Sequence, residues 1–281
     1  MTTALNSWIG RDERAAVVID PLAVERMSAL LDRDRAPQPG DALPALWHWM
    51  FLNSPSAARD LGVDGHPSKT ALIPAVPLPR RMWAGSRVRF LGPILVGENY
   101  ERHSVVRDVQ SKHGKSGELV FVTLQHVLRD RDGIVLDEEQ DIVYRAAALT
   151  AKPGDAAAPK LTPQFTRIVK PDGVLLFRYS AATFNAHRIH VDRAYATREE
   201  GYAGLVVQAP LTATLLVELL HSQKPNSRVD QVRFRATAPL VDREPITLCG
   251  RLDGREATLW ASAGGGIALM MELALGRDAN A

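Results

Sequence analysis

A single cysteine, Cys249, is all the thiol that 281 residues contain. One cysteine closes no intrachain disulfide and anchors no Cys-based zinc site. It stands in the apolar run Ile246-Thr247-Leu248-Cys249 and reads as a packing residue. Charge of one sign is also lacking. Lys and Arg number 34 against 32 Asp and Glu, a net charge of +2, so no nucleic-acid partner is expected. No run reaches the roughly 18 apolar residues of a membrane span, and residues 1–12 hold no signal-peptide core. No membrane partner is expected, and the expected localisation is the cytoplasm. Hydrophobic residues at 46% and charged residues at 23% match ordinary globular chains, which excludes disordered, collagen-like and coiled-coil classes.

What the chain does have is two changes of period. Asp20 and Pro21 open a helix carrying Leu22, Met27, Leu30 and Leu31. A Pro/Gly break at 36–44 and an apolar stretch at 46–52 follow, and then a long Pro-, Gly- and Asp-rich loop at 55–79. Strands are expected at 87–90, 100–109, 119–128 and 134–145, with a turn at 129–133. Short strands joined by turns predict an antiparallel sheet. Residues 147–163 carry no apolar period and read as a linker between units at 1–146 and 164–281. In the second unit, 175–180 reads as a strand, 185–208 as a long polar loop, and Pro210 starts a helix at 211–221. Strands at 232–236, 246–252, 257–263 and 267–275 complete it, with Asp253-Gly254 and Gly264-Gly265-Gly266 as turns. The helix is apolar over most of its circumference and needs wrapping. The pattern is therefore an α+β chain with a helix-in-sheet unit used twice.

The densest polar cluster is Phe184-Asn185-Ala186-His187-Arg188-Ile189-His190-Val191-Asp192, in the loop before that helix. Its residue types permit a metal site on His187, His190 and Asp192, a purely structural loop, or acid–base chemistry by a histidine. The metal reading lacks a motif spacing and a further ligand, so no metal is expected. The acid–base reading gains from Gly204-Leu205-Val206-Val207-Gln208-Ala209-Pro210, which leads into the helix. The first amides of a helix are unpaired and sit at its positive end, where they can hold a carbonyl oxygen gaining charge. A histidine facing such a helix start suits addition of water to an α,β-unsaturated thioester.

These residues resemble the hydratase motif of the MaoC-like hot-dog dehydratases. Over nearly the whole chain the sequence is similar to hydratases of mesaconyl-C4-CoA (3-methylfumaryl-CoA) and itaconyl-CoA. That likeness is carried by Ser7-Trp8-Ile9-Gly10-Arg11, Pro44-Ala45-Leu46-Trp47-His48-Trp49, Leu78-Pro79-Arg80-Arg81-Met82-Trp83-Ala84-Gly85-Ser86, residues 90–98 and Thr183-Phe184-Asn185-Ala186-His187-Arg188-Ile189-His190. The resemblance implies a double hot-dog fold, two antiparallel sheets each wrapped around a central helix. It also implies an acyl-CoA substrate, no cofactor and a homodimer. The family motif Gly-Asp-x-Asn-Pro-Leu-His pairs a catalytic Asp with a His. Aligned on the histidine, His190 takes the His position, Asn185 that of the Asp and His187 that of the Asn. Asn is no general base. Either His190 works as sole base with Asn185 orienting water or thioester, or His187 shares the proton traffic. Asp192 either orients a histidine or is a solvated loop acid, and Ala209 stands where the family has its oxyanion glycine.

An acyl-CoA carries phosphates, and a C5-dicarboxylic acyl group adds a carboxylate suited to arginine. Arg188 is the first expected partner, followed by Arg80 and Arg81; Arg87 and Arg89 read equally as solvated strand residues. Trp47, Trp49 and Trp83 read as core rather than acyl pocket. The expected activity is reversible hydration of a mesaconyl- or itaconyl-type thioester to citramalyl-CoA. Its rivals are a 3-hydroxyacyl-thioester dehydratase and a non-catalytic acyl-CoA-binding protein.

Overall fold

The structure is a computed structural model that describes residues 5–68, 70, 72–74, 76–114, 117–146, 161–225 and 227–276. Most of the linker expected at 147–163 lies outside the described residues. In chain order the elements are β1 (Asp12–Val18), α1 (Pro21–Leu30), β2 (Arg80–Phe90), β3 (Asn99–Gly114), β4 (Gly117–Arg129) and β5 (Ile134–Arg145). They continue as β6 (Phe165–Val169), α2 (Gly173–Ala182), α3 (Ala209–Gln223), β7 (Val229–Ala236), β8 (Ile246–Asp253), β9 (Glu256–Ala263) and β10 (Gly266–Leu275).

The strands form a sheet ordered β1-β3-β4-β5-β2-β7-β10-β9-β8-β6, antiparallel at every pairing. Five strands come from each side of residues 147–160. The two five-stranded halves join edge to edge where β2 pairs β7, from Gly85↔Arg235 to Arg89↔Gln231. Gly85 permits that seam: a Cβ there would come 2.4 Å from the Phe234 carbonyl oxygen.

Helix α3 is the wrapped element. Ten of its fifteen residues are buried, with Leu211, Leu216, Leu219 and Leu220 nearly inaccessible. Each such leucine contributes about 1.5–3 kcal/mol of apolar burial. The buried Glu218 is matched by Arg33, whose Nε and Nη2 both donate to it at 2.7 Å, so no buried charge stands unpaired. The core around α3 continues through Val24 and Met27 of α1 and through Trp47. A smaller apolar cluster, Val106, Val120, Val122 and Ile142, lines the N-terminal sheet under Leu72. Among the described residues the segment 31–79 contains no α-helix, only 3₁₀ turns at Trp47–Phe51 and Ala58–Asp60. The apolar side chains of β3–β5 are therefore met by loop residues such as Leu72. No described helix is long and apolar enough to cross a membrane.

The strand expected at 175–180 is a correction: those residues belong to α2. Asp172 caps it, its side chain accepting from Leu175 N–H at 2.8 Å, and Leu176, Tyr179 and Ser180 form the buried stripe. The β-forming Val174, Phe177 and Tyr179 are outvoted by the cap and by packing of α2 on α1. Strands β1 and β6, unforeseen from the sequence, are the two edges of the sheet. Cys249 is buried in β8, as its apolar run implied.

Candidate active site

The motif segment is held by its own backbone. After α2 the chain turns at Phe184, with φ 50°, and Asn185 N–H donates to Ser180 O at 2.8 Å. Asn185 Oδ1 accepts from His187 N–H at 3.1 Å, an Asx turn that starts the single 3₁₀ turn Arg188–His190. Val206 N–H donates to Ile189 O, tying this turn to the segment that leads into α3. The polar loop expected at 185–208 is thus a hydrogen-bonded structure with a helical turn at Tyr195–Glu199, in which His187, Ile189, His190 and residues 204–208 are buried.

His190 Nδ1 lies 2.7 Å from Val206 O. A carbonyl only accepts, so Nδ1 carries the proton and Nε2 carries the lone pair. His190 is 7% exposed and His187 6%. Burial pulls the His190 imidazole down to about 4. Burial, then His190 and Arg81, pull His187 down to about 2. Both are neutral at pH 7, as a base must be.

Both histidines line a cavity of about 730 Å³ between the two halves of the chain. The C-terminal half contributes Asn185, His187, His190, Gln208 and Ala209; the N-terminal half contributes His66, Arg81 and Arg102 among others. Gln208 does not cap α3 with its side chain. Its Nε2 donates to Leu176 O and Ser180 Oγ, both at 3.0 Å. With Pro210 lacking an N–H, the Ala209 amide is the first donor of the helix, and among the described residues it has no acceptor.

The arginines divide. Arg81 lines the cavity, and its guanidinium has no hydrogen-bond or ion-pair partner among the described residues. Arg80 does not line it: its guanidinium donates to Glu200 O at 2.5 Å and pairs with the Glu200 carboxylate at 3.3 Å. Arg188 also sits outside the lining. Asp192 holds it at 2.7 Å, Val63 O accepts from it at 2.9 Å, and its guanidinium lies over the Tyr195 ring. Asp192 therefore orients an arginine and not a histidine. Arg87 and Arg89 pair across the sheet with Glu139, Asp141 and Asp137. Of the tryptophans, Trp47 and Trp49 are core; Trp49 packs edge-to-face on Trp83 at 5.0 Å, and these two also line the cavity.

Three groups were not foreseen. Arg102, 3% exposed, reaches the cavity from β3, paired with Glu13 and donating to Ser54 Oγ at 2.8 Å. His66 and Asp64 come from the 55–79 loop. The His66 ring lies 4.3 Å from that of His187, which lies 5.4 Å from that of His190. The trio His187, His190 and Asp192 is not brought together. Instead, a carboxylate oxygen of Asp64 and one ring nitrogen each of His66 and His187 lie within 4.8 Å of one another. The signal for these groups was slight: one histidine in the tight-turn sequence Asp64-Gly65-His66-Pro67.

A family profile described as hydroxyacyl-thioester dehydratase type 2 matches residues 46–242. The chain is 41% identical over 278 residues to a mesaconyl-C(4)-CoA hydratase of Chloroflexus aurantiacus, covering 96% of this chain and 97% of that one. Among solved structures, a MaoC-like dehydratase from Phytophthora capsici superposes with a TM-score of 0.75 at 14% identity, covering 99% of both chains. A Mycobacterium tuberculosis protein described as a double hotdog fold gives a TM-score of 0.58 at 13% identity, covering 95% of this chain and 96% of that one.

Proposed function

Since the chain belongs to the hydroxyacyl-thioester dehydratase type 2 family and is a hydro-lyase of double hot-dog fold, we propose that it adds water to a mesaconyl-C4-CoA-type thioester, giving citramalyl-CoA. The observation that carries this reading is His190, a neutral imidazole with Nδ1 committed to Val206 O, lining a cavity that Ala209, the first residue of α3, also lines.

The chemistry then follows from the groups present. Nε2 of His190 takes a proton from water as the water oxygen bonds to the β carbon. The displaced electron pair moves onto the thioester oxygen, and the Ala209 N–H stabilises that enolate. The enolate re-forms the carbonyl as its α carbon takes the proton back from the His190 imidazolium. One water is added and His190 is regenerated. A single oxyanion donor of this kind is worth about 10²–10³ in rate. The low affinity of buried His190 for a proton makes its conjugate acid strong, which favours protonation of carbon.

The choice of a dicarboxylic acyl group rests on charge. The lining holds two arginines, Arg81 and Arg102, and one carboxylate, Glu13, already paired with Arg102. The Arg81 guanidinium has no ion-pair partner among the described residues. A guanidinium on the lining with no ion-pair partner favours an acyl group that ends in a carboxylate. Asn185 orients His187, while Arg188 and Arg80 serve the surrounding structure.

The test is mass spectrometry of purified protein incubated separately with mesaconyl-C4-CoA, itaconyl-CoA, crotonyl-CoA and a saturated 3-hydroxyacyl-CoA. Gain of one water by a dicarboxylic substrate, with KM raised about tenfold or more in Arg81→Gln, supports the reading. Turnover confined to crotonyl-CoA and the 3-hydroxyacyl-CoA replaces it with a dehydratase of monocarboxylic acyl groups. Binding without turnover of any of the four replaces it with a thioester-binding protein.

A further inference from the structure

The motif segment brings imidazoles to the cavity but no free carboxylate, because position 185 is Asn and Asp192 faces Arg188. A carboxylate comes from the opposite half. Residues 61–68 close into a tight turn, with Leu61 bridged to Pro67 and Gly62 N–H donating to His66 O at 2.6 Å. Asp64 Oδ1 accepts from His66 N–H at 3.0 Å within it.

This turn is clamped onto the motif. Arg188 N–H donates to Asp64 O at 2.8 Å, and Arg188 Nη1 donates to Val63 O at 2.9 Å. Gly65, at φ +88°, packs so tightly that a Cβ would lie 2.0 Å from the Ala186 carbonyl oxygen. Two loops more than a hundred residues apart are thereby locked together beside His187.

The clamp brings one Asp64 oxygen, one His66 nitrogen and one His187 nitrogen within 4.8 Å of one another. Three atoms so spaced share a centre no more than about 2.8 Å from each, the place where one bridging water would reach all three. A zinc ion would need all three to close to about 2.1 Å of one point. It would also have to sit within the field of Arg81, which acts on both imidazoles against positive charge. The arrangement is therefore one for hydrogen bonds.

A carboxylate only accepts. A water at that centre gives a proton to the carboxylate, and an imidazole that donates its N–H to such a water keeps its other nitrogen as an acceptor. His66 and His187 both line the cavity, so those acceptors are available beside His190. We propose that Asp64 is a positioning residue that fixes the tautomers of His66 and His187, so that the two imidazoles join His190 in holding the attacking water. The proposal rests on the hydratase reading, and it gives the site a carboxylate–histidine unit contributed from outside the motif.

The experiment is nitrogen NMR of the full chain with ¹⁵N-labelled histidine, in the wild type and in Asp64→Asn. The side-chain amide of Asn can donate, so the variant removes the acceptor-only group at constant size. In the wild type His66 and His187 each show one fixed neutral tautomer. In Asp64→Asn both become mixtures or switch, while His190 keeps its Nδ1 proton because Val206 O still accepts it. The unchanged His190 signal reports that the fold is intact. Kinetically, Asp64→Asn lowers kcat by about 10–100-fold with KM within a factor of about two. His66 and His187 tautomers that do not respond to Asp64→Asn overturn the proposal, and so does an unchanged kcat. A wild type that turns over no thioester refutes the hydratase reading instead, and the tautomer measurement still decides whether Asp64 sets the two rings.

Discussion

Gly65→Ala separates what the loop clamp does for the site from the ordinary cost of a substituted glycine. Gly65 sits at φ +88°, where any L side chain is strained by about 1–2 kcal/mol. Gly40 sits at φ +89° with nothing within 4 Å of its missing Cβ, so Gly40→Ala carries the backbone cost alone. At Gly65 the new carbon meets the Ala186 oxygen at 2.0 Å. An ordinary carbon–oxygen contact is about 3.3–3.6 Å, so the turn must retreat by more than 1 Å, on the order of the gap between the two distances. Hydrogen bonds of 2.8 Å and 2.9 Å from Arg188 to Asp64 O and Val63 O then stretch beyond bonding range. Each is worth about 0.5–1.5 kcal/mol, so Gly65→Ala loses about 1–3 kcal/mol more than Gly40→Ala. Urea unfolding of both variants measures that difference. Displacing His66 and Asp64 by about 1 Å also lowers kcat by up to about 100-fold, an effect absent from Gly40→Ala. If the two variants match in stability and in kcat, the clamp has no role in holding the site.

Three further outcomes follow from the same geometry. His187 and His190 are held neutral by burial, down to about 2 and about 4, whereas in the unfolded chain both take a proton near pH 6.5. The unfolded state therefore binds more protons as pH falls, and stability drops between pH 6.5 and about 4 by up to a few kcal/mol. Stability measured by urea titration that stays level or rises from pH 7.5 to pH 5 contradicts this. Asp192→Asn frees Arg188 from an ion pair outside the cavity, so kcat/KM should change by less than about threefold. A fall beyond about 30-fold would put Arg188 back in substrate binding. Leu216→Ala, inside the wrapped helix, should cost about 2–5 kcal/mol in chemical denaturation, and Leu215→Ala, partly exposed, clearly less.

The strands legible in the sequence were those with one buried face, because alternation is what burial on one side imposes. In β4, Val120, Val122 and Leu124 point inward in just that pattern. The edge strands β1 and β6 are short and pair on one side only, so neither alternation nor length announced them. Helix α2 was hidden by β-forming residues, and its cap, Asp172, lies outside the segment that was read. Helix α3 was plain because Pro210 and a leucine-rich run allow little else.

Within the site, local sequence carried His190, Asn185 and His187, since nine consecutive residues hold all three. The arginines were distinguishable only in three dimensions. Arg80 and Arg81 are neighbours on one strand, where successive side chains take opposite faces; one pairs with Glu200 and the other reaches the cavity. Asp64 and His66 could not be joined to His187 by any spacing rule, because the contact that unites them crosses from one half to the other.

The most direct test of the account is the hydration of mesaconyl-C4-CoA followed by loss of the enoyl-thioester absorbance, with wild type and His190→Ala compared at equal concentration. The account predicts turnover in the wild type and a fall in kcat of at least about 10²–10⁴-fold in the variant, with binding of the saturated citramalyl thioester retained. A variant that keeps wild-type kcat would show that the imidazole pinned to Val206 is not the base, and the mechanism drawn through it would have to be given up.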